Sequence, residues 1–458
     1  MIEENSAGKL RRQVFRLTWP AFIELFMATL FGMGDMIMVG RVGPAAIASI
    51  GLTNQPFMLL LSIFSAVNVG ATTLVAWRIG AGRIKEAKEV TRQVIVVNMF
   101  LGLAVSFLGY IAAPKIIRFM GANADTYADA LVYFQIVAGG LFFQAVTLGV
   151  TACLRGAGET KIPMLYNVGS NIVDLCANYV LIYGKLGFPR LGVKGAALST
   201  TWCRALACFV ALCVLFAWSK SALSMKFKLK FRFNWDVFRR VFKIGLPSAG
   251  EQFVIHSGLM LFTRLVAGLG TKIYAAHQIG INISGLTFSP GMAFGVAATT
   301  LVGQSLGAGD EARAQAYSNV VHHLAICVGC FVGLIFILFS HQLAWLYTAD
   351  LAVISMAGAV LKLLALAQPG QATQLSLAGA LRGAGDTVYP LYSSVVGIWG
   401  VRVVVAYLFV RVFRWGLIGA WVALALDQYV RSVVVYLRFR SGKWKEISRR
   451  ERMRKRQL

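Results

Sequence analysis

The segment ATTLVAWRIGAG at residues 71–82 returns as ATTLVGQSLGAG at residues 298–309, 227 positions further along the chain. A second pair has the same offset, with CLRGAGETKIP at residues 153–163 and ALRGAGDTVYP at residues 380–390. Matches at one common offset indicate an internal duplication. The chain is therefore predicted to consist of two similar halves.

The composition is that of a protein that crosses a membrane many times. Hydrophobic residues make up 57% of the 458 positions and charged residues only 14%, against about 25% in a typical soluble domain. A membrane helix needs about 20 apolar residues. A window of that length predicts twelve spans: 14–40, 46–77, 93–113, 127–153, 161–184, 194–218, 241–268, 275–304, 317–341, 353–380, 388–411 and 415–438.

The duplication and the spans together predict an all-α polytopic membrane protein of two six-helix lobes. Six is even, so both lobes enter the membrane in the same direction, which implies a pseudo-two-fold axis along the membrane normal and a cavity between the lobes. The predicted parts are an N-terminal lobe at 1–218, a basic linker at 219–243, a C-terminal lobe at 244–440 and a basic tail at 441–458.

The net charge of +26 comes mostly from the connecting segments and the tails. By the positive-inside rule, this pattern places both termini in the cytoplasm and predicts a multi-pass protein of the cytoplasmic (inner) membrane. Contact with the lipid bilayer accounts for the basic clusters better than nucleic acid does, so no nucleic-acid partner is expected. The seven cysteines lie in or beside apolar segments and predict neither a disulfide framework nor a metal site.

Acidic residues inside the spans are the strongest functional signal. A charge at this depth costs about 2.5–3.5 kcal/mol on insertion scales and commonly marks function. In LFGMGDMIMVGRVG, residues 30–43, Asp35 has no opposite charge nearby until Arg41. In span 5, Asn171, Asp174 and Asn178 share one helix face. Carboxylate and amide oxygens of this kind are predicted to bind Na⁺ or a proton.

Other charged residues in the spans have simpler interpretations. Asp427 and Arg431 are spaced i, i+4, so we expect them to neutralise each other on one helix face. Glu24 and Glu251 are repeat equivalents, and each follows a proline by four residues. They are predicted either to line the substrate cavity or to satisfy polar groups freed by the proline kinks.

The two halves differ in chemistry where the acids lie. Asp35 corresponds to Phe262, and a one-residue gap after Pro163 and Pro390 places Asp174 opposite Arg402. The acidic constellation therefore belongs to the N-terminal half. The C-terminal half offers polar candidates for a substrate-cavity wall instead: Glu251, Gln252, His256, His277, Gln278, Asn282, Gln368 and Arg402.

These features resemble the multidrug and toxic-compound extrusion (MATE) transporters over essentially the whole chain. The resemblance is carried by WPAFIE…GDMIMVGRVG, ATTLVAWRIGAG, CLRGAGETKIP, NIVDLCANYVLIYGKLGFPRLGVKGAA, KIGLPSAGEQ, LVGQSLGAGD and ALRGAGDT. It implies efflux of amphipathic, usually cationic compounds by alternating access, driven by inward flow of Na⁺ or H⁺. No cofactor is implied beyond that coupling ion, no enzyme activity is expected, and a monomer is expected to suffice.

The resemblance also implies which residues couple ion and drug. Asp35 lies fifteen residues after Pro20, where the family has its principal coupling carboxylate. Asp174 and Asn178 match the family's Asn and Asp of span 5 in swapped order, and Thr200 is the match for its span 6 threonine. Branches with a C-lobe site need an acid in span 10, which this chain lacks. The implied Na⁺ or proton site is therefore Asp35, Asp174 and Asn178, with Asn171 and Thr200 beside it.

Three alternatives remain open on the sequence. A lipid-linked precursor flippase of the same superfamily would use a cationic cavity, for which Arg402 and Arg204 are candidates. A membrane-embedded enzyme is disfavoured because HExxH does not occur in the sequence. An uncoupled facilitator would have no use for the acids inside the spans.

Overall fold

The computed structural model describes residues 2–217, 221–225, 233–348, 350–447 and 449. Regular secondary structure in these residues is entirely helical, as the sequence predicts. The helices are α1 Ile2–Gly40, α2 Pro44–Gly80, α3 Ile84–Phe119, α4 Ala124–Gly139, α5 Leu141–Ala157, α6 Lys161–Tyr183, α7 Gly192–Phe216, α8 Trp235–Ala267, α9 Thr271–Ala308, α10 Glu311–Trp345, α11 Leu351–Gly383, α12 Val388–Ser394, α13 Val404–Tyr407 and α14 Gly416–Arg440. Two π-helical segments, Val395–Val403 and Leu408–Val412, flank α13.

Each predicted span is found as one helix or as a series of joined helical segments. The fourth span is bent by 44° between α4 and α5, and the eleventh runs through Val388–Val412. Within the described residues, nine helices are long and apolar enough to cross a membrane, or ten with the bent pair. The polar helices α6 and α8 are not among them. The predicted linker lies partly outside the described residues, at 219–220 and 226–232.

The chain forms two compact units. The described residues of Ile23–Ala249 make the N-terminal unit, and those of Met1–Phe22 and Gly250–Leu458 make the C-terminal unit. The chain therefore changes unit inside α1 and inside α8, in each case just after the internal proline, Pro20 or Pro247. The predicted lobes instead assign all of α1 to the N-terminal lobe and start the C-terminal lobe at 244, inside α8.

The first parts of α1 and α8 explain this division, because each packs into the core of the unit it joins. Val14 and Leu17 of α1 belong to the same apolar cluster as residues of α9, α10, α11 and α14. Val241 and Ile244 of α8 pack with residues of α2, α3, α5 and α7. At Gly245 the contact is so close that a Cβ atom would lie 1.5 Å from the carbonyl oxygen of Ala66.

The duplication is visible in the contacts of the two units. Thr72 donates its hydroxyl to the carbonyl of Ala152 at 3.0 Å, and Thr299 donates to Gly379 at 2.8 Å, with an offset of 227 in both positions. The predicted one-residue gap also has a structural cause, since the second half carries the π-helical Val395–Val403. A π-helical turn accommodates an extra residue within a helix.

Candidate functional site

The candidate site is built from α1, α6 and α7 of the N-terminal unit. Asp35, partly exposed on α1, accepts a hydrogen bond from the Asn178 side-chain amide at 2.9 Å. The two helices meet closely there, because Gly34 leaves room for the side chain of Leu175. One turn on, the Tyr183 hydroxyl donates to the carbonyl of Met38 at 2.9 Å. These contacts hold Asp35 against α6.

Asp174 forms the second part of the site and is buried, with 9% of its surface exposed. Ser199 of α7 donates to its carboxylate at 2.6 Å and to its backbone carbonyl at 3.1 Å. The Cys203 thiol, one turn further along α7, also contacts the carboxylate. Asp174 and Asp35 lie near enough to interact electrostatically. The structure thus brings together three of the predicted coupling residues.

Two other predicted members of the site are placed differently. Thr200 makes no hydrogen bond to either carboxylate among the described residues, and its neighbour Ser199 has that role. The prediction missed by one residue because the spacing of a helix, rather than residue type, decides which hydroxyl faces α6. Asn171 is partly exposed and makes no hydrogen bond to either acid in the part of the chain described.

Sequence reasoning did not assign Arg204 and Tyr133 to this site. The guanidinium of Arg204 is buried and interacts electrostatically with Asp174 and Tyr133. It lies over the ring of Phe57, 4.7 Å from the ring centroid. The signal available in the sequence was the charge of Arg204 inside span 6. Two carboxylates and one guanidinium leave the ionised site with a formal charge of −1, which one monovalent cation or proton would neutralise.

Asn178 supplies a group suited to a cation. Its amide nitrogen is used by Asp35, while its Oδ1 is buried without a hydrogen-bond partner in the described residues. An amide oxygen beside two carboxylates is a ligand set of the kind that hard cations prefer. In the described residues, this site included, no group of three or more His, Cys, Asp or Glu side chains is arranged to hold a metal ion.

Glu24 is buried in an ion pair. Arg155 lies 2.9 Å from its carboxylate, and the Asn167 amide donates to it at 2.5 Å. The guanidinium comes from the repeated motif LRGAG. Of the two interpretations of Glu24, the contacts correspond to satisfaction of polar groups beside the Pro20 kink.

Glu251 repeats this arrangement in the C-terminal unit and is only 1% exposed. Arg382 donates to both of its carboxylate oxygens at 2.8 Å, and the hydroxyl of Ser394 lies 3.5 Å away. All three residues are offset by 227 from Glu24, Arg155 and Asn167. We call these two sets the glutamate clamps.

Arg402 forms a buried ion pair with Asp427. Its Nε and Nη2 atoms donate to one carboxylate oxygen of Asp427, at 3.0 Å and 2.5 Å. The ion-pair partner of Asp427 is therefore Arg402 rather than the predicted Arg431, because the π-helical segment presents Arg402 to α14. Arg431 still interacts electrostatically with Asp427 and donates to Ser394 at 3.1 Å.

The remaining cavity candidates are distributed over the C-terminal unit. Gln278 and Asn282 line a cavity of about 530 Å³, together with Lys272, Tyr347 and Asp350. Lys272 pairs with Asp350 at 3.0 Å, and this hydrogen bond holds the pKa of Asp350 below its ordinary value. The other candidates do not line that cavity. Gln252 and His256 are partly exposed, Gln368 donates to Thr287 at 3.2 Å, and His277 is buried against Phe262 and Trp421.

Comparison with known proteins agrees with this architecture. The family model described as MatE matches residues 20–180 and 247–408, so its two copies are offset by 227 at the start and 228 at the end. The chain is 31% identical to "Probable multidrug resistance protein NorM" of Thermotoga maritima, over 97% of this chain and 95% of that protein. It is also 31% identical to "Uncharacterized transporter YisQ" of Bacillus subtilis, over 94% of each.

Solved structures share the fold. The one described as the outward-facing conformation of a multidrug resistance MATE family transporter of the MOP superfamily has a TM-score of 0.89 at 22% identity, over 95% of this chain and 97% of that one. At this identity the likeness concerns the fold alone. The match of both halves to the family model and the full-length similarity to the relatives establish the assignment. The chain belongs to the MatE family of transporters.

Proposed function

We propose that this transporter is a secondary active antiporter that exports amphipathic, mostly cationic drugs in exchange for Na⁺ or H⁺. The observation that carries the proposal is the site of Asp35, Asp174 and Asn178, with its formal charge of −1 and a free amide oxygen. The printed names of several relatives support drugs as the exported substrates. The basic connecting segments support a location in the cytoplasmic membrane with both termini inside the cell.

The proposed mechanism is alternating access. Binding of a cation neutralises the site and removes the repulsion between Asp35 and Asp174. That change favours a different conformation of α1 beyond Pro20, in which the drug is released outside. Return to the inward-open state releases the cation to the cytoplasm. Coupling requires only that drug and cation favour different states of the transporter.

All residues of the proposed site belong to the N-terminal unit. One chain therefore carries the complete cation site, and the mechanism needs no second copy. The alternative of a lipid-linked precursor flippase depends on free cationic side chains. It is less favoured because Arg402 is neutralised by Asp427 and Arg204 interacts electrostatically with Asp174.

The test is drug efflux from proteoliposomes with an imposed Na⁺ or pH gradient. Asp35→Asn keeps the shape and removes the charge, so we expect gradient-driven efflux to fall to the level of empty liposomes. Asp129→Asn is the matched control, because it makes the same chemical change at an exposed position of α4. Wild-type efflux by Asp35→Asn would exclude coupling through this carboxylate.

A further inference from the structure

The duplication gives the carboxylate site a counterpart in the C-terminal unit. Asp35 corresponds to Phe262 through the common offset of 227. The π-helical Val395–Val403 adds one residue to the second half, so from within this segment onward the offset is 228. With that offset Asp174 corresponds to Arg402. An acid that takes part in the proposed coupling is thus replaced by a base.

The last helix of each half aligns with a different offset, because the connection before it is shorter in the second half. α7 and α14 both have 25 residues and start 224 positions apart. Backbone packing agrees with both registers. Gly195 lies against the backbone of Leu181, and Gly419 lies against Phe409, whose Cβ is its nearest neighbour. The two glycines are 224 positions apart and their two partners are 228 positions apart, which are the offsets of the last helix and of the helix before it.

This alignment pairs two contacts of opposite chemistry. In the N-terminal unit, Asp174 contacts Cys203. The equivalent positions in the C-terminal unit are Arg402 and Asp427, which form the buried ion pair. The carboxylate has moved from the α6 position to the α7 position, and a guanidinium has taken its former place.

The C-terminal counterpart is buried and occupied by side chains of the protein itself. Arg402 is 6% exposed and Asp427 is fully buried. The guanidinium lies 5.9 Å from the ring centroid of Phe262, on the side where the N-terminal unit has Asp35. The aromatic face and the carboxylate together surround a positive charge, as a cation–π contact and an ion pair do.

We propose that Arg402 is a tethered cation that permanently fills the C-terminal counterpart of the coupling site. Asp427 is then a latent site for Na⁺ or a proton, occupied by a side chain of the protein itself. The proposal rests on the function proposed for Asp35 and Asp174. Its consequence is that only the N-terminal unit exchanges a cation with solution, so each transport cycle carries one.

The neighbouring charges of the C-terminal unit are engaged with each other. Arg431, one turn after Asp427, donates to Ser394 and also interacts electrostatically with Asp427. Ser394 in turn approaches Glu251, which Arg382 holds in the second glutamate clamp. Removal of Arg402 therefore takes away the ion-pair partner of Asp427 and leaves Arg431 as a neighbouring charge, while the pair of Glu251 and Arg382 is kept.

The test measures cations bound per chain by the purified, full-length transporter. Binding of radioactive Na⁺ and release of protons into weakly buffered solution are recorded for wild type, Arg402→Met and the double variant Arg402→Met/Asp427→Asn. We expect one cation for wild type, two for Arg402→Met and one for the double variant. Arg402→Lys keeps a tethered positive charge and is expected to bind one.

A second readout covers loss of folding. Arg402→Met buries an unpaired carboxylate, which is strongly destabilising. We expect its Tm to rise with Na⁺ concentration or with falling pH more steeply than the wild-type Tm, and Asp427→Asn to remove the difference. A wild-type cation count in Arg402→Met, including one caused by movement of Arg431 to Asp427, would overturn the proposal. Failure of this variant to fold even at high Na⁺ and low pH would also overturn it.

The Asp35→Asn substitution separates this proposal from the function on which it rests. In the Arg402→Met background it should remove only the N-terminal cation and leave the one that depends on Asp427. If wild type binds no cation sensitive to Asp35→Asn, the coupling proposal fails. The additional cation bound by Arg402→Met and lost in Arg402→Met/Asp427→Asn is counted whatever the effect of Asp35→Asn.

Discussion

The glutamate clamp of the C-terminal unit allows a prediction with a magnitude. Arg382→Met removes the guanidinium that donates to both oxygens of Glu251 at 2.8 Å. Loss of one partner from a buried ion pair costs about 3–5 kcal/mol, because the other charge stays buried without compensation. The Arg382 side chain is 18% exposed, so some water reaches the pair. We therefore expect a loss near 3 kcal/mol in the free energy of unfolding.

The assay is thermal unfolding of the purified transporter in detergent. At roughly 2–4 °C per kcal/mol for a unit of about this size, 3 kcal/mol corresponds to a fall in Tm of roughly 6–12 °C. The double variant Glu251→Gln/Arg382→Met no longer buries a charge and should recover most of the loss. Arg382→Lys, which keeps the charge but not the forked donor, should lie in between.

Comparison of the single and double variants tests whether the loss of stability comes from the unpaired charge of Glu251. If Arg382→Met unfolds at the wild-type Tm, Glu251 does not depend on Arg382 for compensation of its charge. If the double variant is as unstable as the single one, the loss comes from packing of the arginine stem. Either result would refute the account of the clamp as a buried ion pair.

Two further predictions each compare a substitution with a control at a nearby position of the same helix. Ser199→Ala removes a hydrogen bond to the charged Asp174, a contact worth about 1.5–3 kcal/mol, so the cation concentration that gives half-maximal efflux should shift by roughly tenfold or more. Thr200→Ala should leave that concentration unchanged, and equal shifts in the two variants would contradict the assignment of Ser199. Gly245→Ala would place a Cβ 1.5 Å from the carbonyl oxygen of Ala66 and should lower the yield of folded protein. Gly250→Ala, whose Cβ would lie 3.6 Å from its nearest neighbours, should be tolerated. A normal yield of Gly245→Ala would contradict the close helix contact.

The global architecture is predictable from the sequence because it depends on long-range averages. Apolar runs of sufficient length give the spans, and repetition at an offset of 227 gives the two halves. The one-residue gap near Pro390 also follows from comparison of the halves. Only the structure shows that a π-helical segment contains it.

The partners of the buried charges are harder to predict from the sequence. Spacing within one helix suggested Arg431 for Asp427, but the partner is Arg402 on a neighbouring helix. Likewise the arginines of the repeated LRGAG motif belong to Glu24 and Glu251, more than 130 residues away. Side-chain contacts between helices depend on the rotation of each helix about its axis, which a local pattern does not fix.

The division of α1 and α8 between the units was also beyond the sequence patterns. Hydropathy marks the apolar stretch of a helix but not the core into which each part packs. Pro20 and Pro247 indicate where a helix can bend. Which unit holds the preceding turns follows from contacts such as Gly245 with Ala66.

The central claim is that drug and cation move in opposite directions and that one carboxylate site couples the two movements. The most direct measurement loads proteoliposomes with a cationic drug, applies no ion gradient, and follows Na⁺ and pH in the lumen as the drug leaves. For wild type we predict uptake of Na⁺ or H⁺ in step with drug efflux, and for Asp35→Asn no uptake. Drug efflux by wild type with no movement of either cation would contradict the claim.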